Sequence, residues 1–139
     1  MRAEVFTLAA LTIAVWGTHG FFSKLAIERV DQQIIIWGSL VACPTVFLAY
    51  LAASGQLLPI NWHASGISFG LLAGLAGCSG TILFYQLLAR ETASLVVPLT
   101  SLYPAFTVVL SAVFLNEGLT PMRILGIIFA LAAVFLLSR

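Results

Sequence analysis

The chain has 139 residues, of which 61% are hydrophobic and 8% charged, with a net charge of +1. A soluble domain carries about 25% charged residues, so this composition cannot cover a water-facing surface, and a mean hydropathy of +1.10 marks an integral membrane protein. The small net charge gives nucleic acid no electrostatic footing.

A membrane-spanning helix needs about 20 mostly apolar residues. Five stretches qualify, at about 4–26, 33–53, 66–89, 93–115 and 121–138. They predict an all-α integral membrane fold, a five-transmembrane-helix bundle in a single domain, 1–139. The run 5–16 has the length of a signal peptide's apolar core. Trp16-Gly17-Thr18-His19 is a poor cleavage site, and apolar residues resume at Phe21, so the stretch is expected to stay as a mature helix.

The first helix carries His19 well inside it, between Gly17 and Gly20. A polar residue there faces the protein interior or a water-filled cavity by default. It is either a solute contact or proton-titrating group, since imidazole ordinarily changes charge near neutral pH, or a histidine bonded to a neighbouring helix. Lys24, near the helix end, is expected to snorkel or to pair with Glu28 on the same face, ahead of contacting an anion. Asp31 stands where it can cap the second helix.

The link 55–65 holds Pro59, Asn61, Trp62 and His63 but no Lys or Arg, and Trp62 suits the headgroup layer. The third helix places Gly66, Gly70 and Gly74 four residues apart on one face, followed by Gly77 and Gly80. Small residues let helices approach closely in lipid. Packing within the protein is the expected use, ahead of a seam between two copies; a sliding face fits either. Gln86 could bridge helices. Cys43 and Cys78 have neither zinc nor redox spacing and read as small buried residues.

Arg90-Glu91-Thr92 forms a tight turn with Thr92 as a cap. The fourth helix then carries Pro98 and Pro104, with Thr100, Ser101, Tyr103 and Thr107 where a plain anchor would have leucine. Proline removes a donor and presses on the carbonyl four residues back, here those of Ser94 and Thr100. In hydrocarbon such a carbonyl needs another partner. The stretch is expected to be a bent, polar cavity wall. Gly118 is expected to supply the left-handed stop and Thr120-Pro121 to open the fifth helix. Glu117 and Arg123 are expected to form an ion pair.

Short links place Arg2 and Arg123 on one side and Lys24, Arg29, Arg90 and Arg139 on the other. The positive-inside rule puts the N-terminus outside, by a margin small enough to permit insertion both ways. No acidic residue lies mid-membrane. No phosphate loop, metalloprotease pair, metal-ligand cluster or nucleophile elbow occurs, so neither catalytic residues nor a cofactor or metal are expected.

Trp16-Gly17 followed by Phe22-Ser23-Lys24-Leu25-Ala26, the run from Leu87-Leu88-Ala89-Arg90-Glu91-Thr92 to Pro98, Leu102-Tyr103-Pro104-Ala105-Phe106-Thr107, and Glu117-Gly118-Leu119-Thr120-Pro121 with Gly126 together resemble an EamA-like domain of the drug/metabolite transporter superfamily. The resemblance covers essentially the whole chain. It implies one half of a ten-helix inverted-repeat transporter, from the single-domain branch, and hence a homodimer, antiparallel or parallel. It also implies a multi-pass protein of a prokaryotic inner membrane that moves small organic metabolites. His19 departs from the residues commoner at its place, so the solute is not carried over.

The expected function is secondary transport by alternating access, with His19, Trp16, Tyr85, Thr100 and Tyr103 as solute contacts and Pro98 and Pro104 as the helix break. The alternatives are a non-transporting subunit that docks through the glycine face, and a passive channel.

Overall fold

The structure, a computed structural model, describes residues 3–55 and 64–137. Among them every regular element is helical: α1 (Ala3–Ile27), α2 (Gln32–Ala53), α3 (Ala64–Arg90), α4 (Ala93–Thr100), α5 (Tyr103–Phe114) and α6 (Pro121–Leu137). Four stretches are long and apolar enough to cross a bilayer: Glu4–Ile27, Gln32–Ala53, Gly66–Arg90 and Ala93–Phe114, the last combining α4 and α5. The apolar α6 has 17 described residues, a rise of roughly 26 Å at 1.5 Å each. Helix order and spans follow the sequence pattern, and the correction is internal: the expected fourth helix is two helices.

The chain forms two compact units, Met1–Arg90 and Glu91–Arg139. In the first, α1, α2 and α3 pack on one another. The turn after α1 is closed by Arg29 and Val30, whose amides both donate to the Ala26 carbonyl at 2.9 Å. Asp31 occupies the N-cap of α2 with extended backbone, but its carboxylate makes no capping bond; its carbonyl accepts from the Ile34 amide at 2.9 Å. Pro44 lies inside α2, and the neighbouring Thr45 hydroxyl donates to the Val41 carbonyl at 2.8 Å. Gly55, at φ 69°, ends α2 in the left-handed region where glycine carries no Cβ penalty. The expectation for Trp62 lies outside the described residues.

The apolar side chains of these helices are mostly exposed; among the described residues only Tyr85, Leu88 and Val96 form a buried hydrophobic set. Hydrocarbon solvates such surface as well as a core does, so packing in lipid rests on small residues and polar contacts. Among the described residues, a Cβ added at Gly66, Gly70, Gly74, Gly77 or Gly80 of α3 would meet nothing within 4 Å. Cys43 and Cys78 are free and exposed rather than buried.

In the second unit α4 packs against α6, and Val96 of α4 is buried. The left-handed stop after α5 falls on Asn116, at φ 53°, and not on Gly118. Asparagine tolerates that region better than most residues, and the turn is held by Glu117, whose amide folds back to the Ser111 carbonyl at 3.3 Å. Thr120 caps α6 as expected, its hydroxyl accepting from the Arg123 amide at 3.3 Å, and Pro121 takes the first helical position. Arg123 does not pair with Glu117; its guanidinium donates instead to the Gly118 carbonyl at 3.4 Å.

Candidate solute site

The first unit gathers aromatic residues around His19. The imidazole lies 6.2 Å from the Phe84 ring, centroid to centroid, with 24° between planes. It lies 6.2 Å from the Tyr85 ring at 46°, and the two α3 rings are 6.1 Å apart. Each ring is fixed differently. Tyr85 is 2% exposed, and its hydroxyl is 2.8 Å from the Ser39 hydroxyl of α2. Tyr85 thus ties α2 to α3 while presenting its ring to α1. Phe84 is half-buried, and His19 itself is exposed.

A bond from His19 to a neighbouring helix is not seen among the described residues. The ring stacks, but among the described residues neither ring nitrogen has a hydrogen-bond partner. His19 lies eight residues from the C-terminal end of α1, roughly 12 Å along the axis. An imidazole at that depth cannot leave its polar edge facing hydrocarbon without a cost of several kcal/mol. Trp16 is three residues earlier on α1, on a neighbouring part of the same face, and is exposed.

Below this cluster the helix ends are clasped. The Lys24 ammonium donates to the Leu88 carbonyl, in the last turn of α3, at 3.0 Å and approaches the Glu28 carboxylate at 3.8 Å. A cation at a helix C-terminus satisfies a late carbonyl and complements the dipole. Leu88 is fully buried and Ser23 is 5% exposed. Lys24 thus takes the structural role expected for it.

In the second unit the helix break falls at Ser101 and Leu102. Pro98 is inside α4, whereas Pro104 occupies the first turn of α5, where its missing N–H costs nothing. The break is thus set between the two prolines. The hydroxyls there turn inward on the backbone. Thr100 donates to the Val96 carbonyl at 2.8 Å, with the Val97 carbonyl at 3.2 Å. Ser101 donates to the Val97 carbonyl through its hydroxyl at 2.7 Å and through its amide at 3.0 Å. These carbonyls acquire from side chains what water would supply outside a membrane. The break borders a mostly apolar cleft of about 480 Å³, lined by Ser101, Leu102, Pro104, Val108, Ile127 and Arg123 among others. Tyr103 is exposed and Thr100 half-buried, and neither lines that cleft.

His19 and Tyr85 are therefore brought together, with Trp16 one turn away, while Thr100 and Tyr103 belong to the broken helix of the other unit. Phe84 and Ser39 were missed from the sequence. Ser39 was open to detection as the hydroxyl within the apolar run Trp37-Gly38-Ser39-Leu40; Phe84 had no polar mark. Gln86 is exposed and bridges no helix among the described residues. The Thr92 hydroxyl faces Ser94 at 3.1 Å and does not cap α4.

Apolar spans, one of them broken at hydroxyl-rich backbone, mark a multi-pass membrane protein. The sequence matches the EamA-like transporter family over residues 5–139. The chain belongs to that family, and it is a transporter. It is 29% identical over 136 residues to an uncharacterized protein of Methanocaldococcus jannaschii, covering 94% of this chain and 93% of that one. It is 31% identical over 134 residues to an uncharacterized transporter of Archaeoglobus fulgidus, covering 94% of this chain and 46% of the relative. A third relative, an uncharacterized transporter in the cobO 3′ region of Sinorhizobium sp., is 27% identical over 131 residues, covering 94% of this chain and 93% of the relative. No solved structure matches.

Proposed function

We propose that the protein is a secondary transporter of small organic metabolites in a prokaryotic cell membrane, working as a homodimer by alternating access. The observation that carries this reading is His19, held against Phe84 and Tyr85 by its ring face while its nitrogens have no partner among the described residues. A group that only fastened helices together would use its hydrogen bonds to do so. This one is positioned by stacking and keeps its polar edge available. Trp16 extends the same face; in the second unit, taken by itself, Thr100 and Tyr103 are the solute contacts of the broken helix. Tyr85 acts through its ring, since its hydroxyl is engaged with Ser39. Pro98 and Pro104 give the fourth span a joint at which one half can move against the other, as broken helices do in other transporters.

Two further features support the homodimer. The open glycine face of α3 has room for a close neighbour. The Archaeoglobus relative is about twice the length that this chain matches, enough to hold two such units in one chain.

The test is uptake into proteoliposomes with a labelled panel of amino acids, nucleosides and organic cations. Saturable uptake of at least one solute is expected. Flux that rises in proportion to solute without saturating would indicate a channel. Absence of flux, together with a stoichiometric foreign partner after purification in mild detergent, would indicate a docking subunit.

A further inference from the structure

The second unit holds a cleft that the solute contacts do not use. The α4 half of the broken span packs on α6. Past the break at Ser101 and Leu102, a space of about 480 Å³ opens between α5 and α6. Its walls are mostly apolar, with Pro104 and Val108 from α5 and Gly126, Ile127 and Ala130 from α6. The Ser101 hydroxyl at its edge is already spent on the Val97 carbonyl. Arg123 is the one charged residue on the wall.

Helix α6 lays out its side of the cleft in order. Arg123, Gly126, Ile127 and Ala130 follow at i, i+3, i+4 and i+7, which is one face of a helix. The cation stands in the first turn, and small or apolar residues continue from it over roughly 10 Å. A charged end followed by an apolar trough suits an amphiphile, head at the helix end and tail along the helix.

The charge at the head of the cleft is largely unspent. A guanidinium has five N–H donors. Among the described residues that of Arg123 makes one hydrogen bond, to the Gly118 carbonyl at 3.4 Å, and no ion pair with Glu117. A cation in the first turn also adds to the positive end of the helix dipole instead of offsetting it. Both features favour an anion, and amides at a helix N-terminus suit a phosphate. The tail end has its own requirement. In a bilayer the material beside an apolar cleft is lipid chain, and an empty cleft leaves its walls without contacts. Gly126 keeps this one open, since a Cβ there would meet nothing within 4 Å.

We propose that the cleft holds one anionic phospholipid of the bilayer, its phosphate on Arg123 and one acyl chain along Val108, Ile127 and Ala130. Basic pockets beside spanning helices recognise anionic headgroups in this way. The lipid comes from the leaflet on the side of the link between α5 and α6. Seated there, it fills the space beside the joint of the fourth span and braces α5. The proposal needs only that the chain lies in a membrane, and it stands apart from the identity of any solute.

The test is native mass spectrometry of the full-length protein, delipidated in mild detergent and titrated with dioleoyl phosphatidylglycerol or dioleoyl phosphatidylcholine. Wild type should retain one phosphatidylglycerol per protomer, about tenfold more tightly than phosphatidylcholine, the scale of one charge-assisted hydrogen bond. Arg123→Gln should bring phosphatidylglycerol down to the level of phosphatidylcholine. Gly126→Leu, which fills the cleft, should weaken both lipids. Equal affinity of wild type for the two lipids overturns the proposal, as does a preference that survives Arg123→Gln. Gly126→Leu that binds like wild type removes the acyl chain from the cleft and overturns it too. Displacement of phosphatidylglycerol by an equal concentration of inorganic phosphate would make this a free-anion site. Lipid found on monomers and absent from dimers would mean that a second copy covers the cleft; either result contradicts the proposal. Should Arg123→Gln lose its helix content, the wild-type comparison and Gly126→Leu decide.

Discussion

At the scale of single residues, the spans divide polar groups that are satisfied within the chain from the few that are not. Thr12, Thr18, Thr45, Thr81 and Thr107 each donate to the carbonyl four residues back, at 2.8–3.2 Å, which removes their protons from contact with lipid. Tyr85 and Ser39 satisfy each other at 2.8 Å. That pair predicts a measurable coupling. In a double-mutant cycle of Ser39→Ala and Tyr85→Phe, followed by reversible unfolding in lipid, the coupling should be about 0.6 kcal/mol, the average for interhelical hydrogen bonds in membranes by such cycles. Additive losses would mean that the bond contributes nothing. His19 stands on the other side of the division, and for that reason it was legible in the sequence: a titratable ring in an apolar run announces itself. Its neighbours were not legible. Phe84 looks like any other apolar residue, and Ser39 becomes significant only when packing of α2 on α3 brings it to Tyr85. The Glu117–Arg123 pair shows the same limit. Opposite charges close in sequence suggested it, but the stop at Asn116 orders the link so that Arg123 reaches the Gly118 carbonyl instead.

At the scale of elements, the broken fourth span is the departure from regular structure that matters most. The two prolines marked it in the sequence, since each removes a backbone donor. They did not mark the point of the break, because they fall at inequivalent places: Pro98 within a helix, Pro104 in the first turn of the next. Thr100 and Ser101 then make the interruption tolerable by covering the Val96 and Val97 carbonyls. Two predictions follow from this division of labour. Replacing Thr100 with Val and Ser101 with Ala together should lower stability in lipid by about 1 kcal/mol for each lost bond, measured by thermal unfolding. Pro98→Ala restores a donor toward the Ser94 carbonyl, so it should raise the melting temperature and slow solute uptake, the helix propensity gain being at most roughly 3 kcal/mol. A variant that is both more stable and faster would contradict the joint assigned to this span. The Lys24 clasp belongs to the same scale. It fastens α1 to the last turn of α3 through Leu88.

At the scale of the whole molecule, composition alone marked a multi-pass membrane protein, and helix order followed from apolar run lengths and turn residues. The role of the glycine face was not legible, because spacing is the same whether a neighbour lies in the same chain or in another copy. In the homodimer proposed above, that neighbour is another copy. Gly70→Leu should therefore leave the helix content of the chain intact while weakening dimers in mild detergent, read by crosslinking; a dimer unaffected by that change would remove α3 from the seam. Orientation is a separate matter. Four cationic residues on one side against two on the other bias insertion only weakly, and accessibility labelling of both termini should find both orientations if the dimer is antiparallel, or one if it is parallel. The central claim is that solute crosses this membrane through the faces bearing His19, Trp16 and Tyr103. Its most direct test is uptake in proteoliposomes by a variant with all three replaced by alanine, at equal reconstitution. The account predicts saturable wild-type uptake and its loss in the triple variant; triple-variant flux equal to wild type would contradict it.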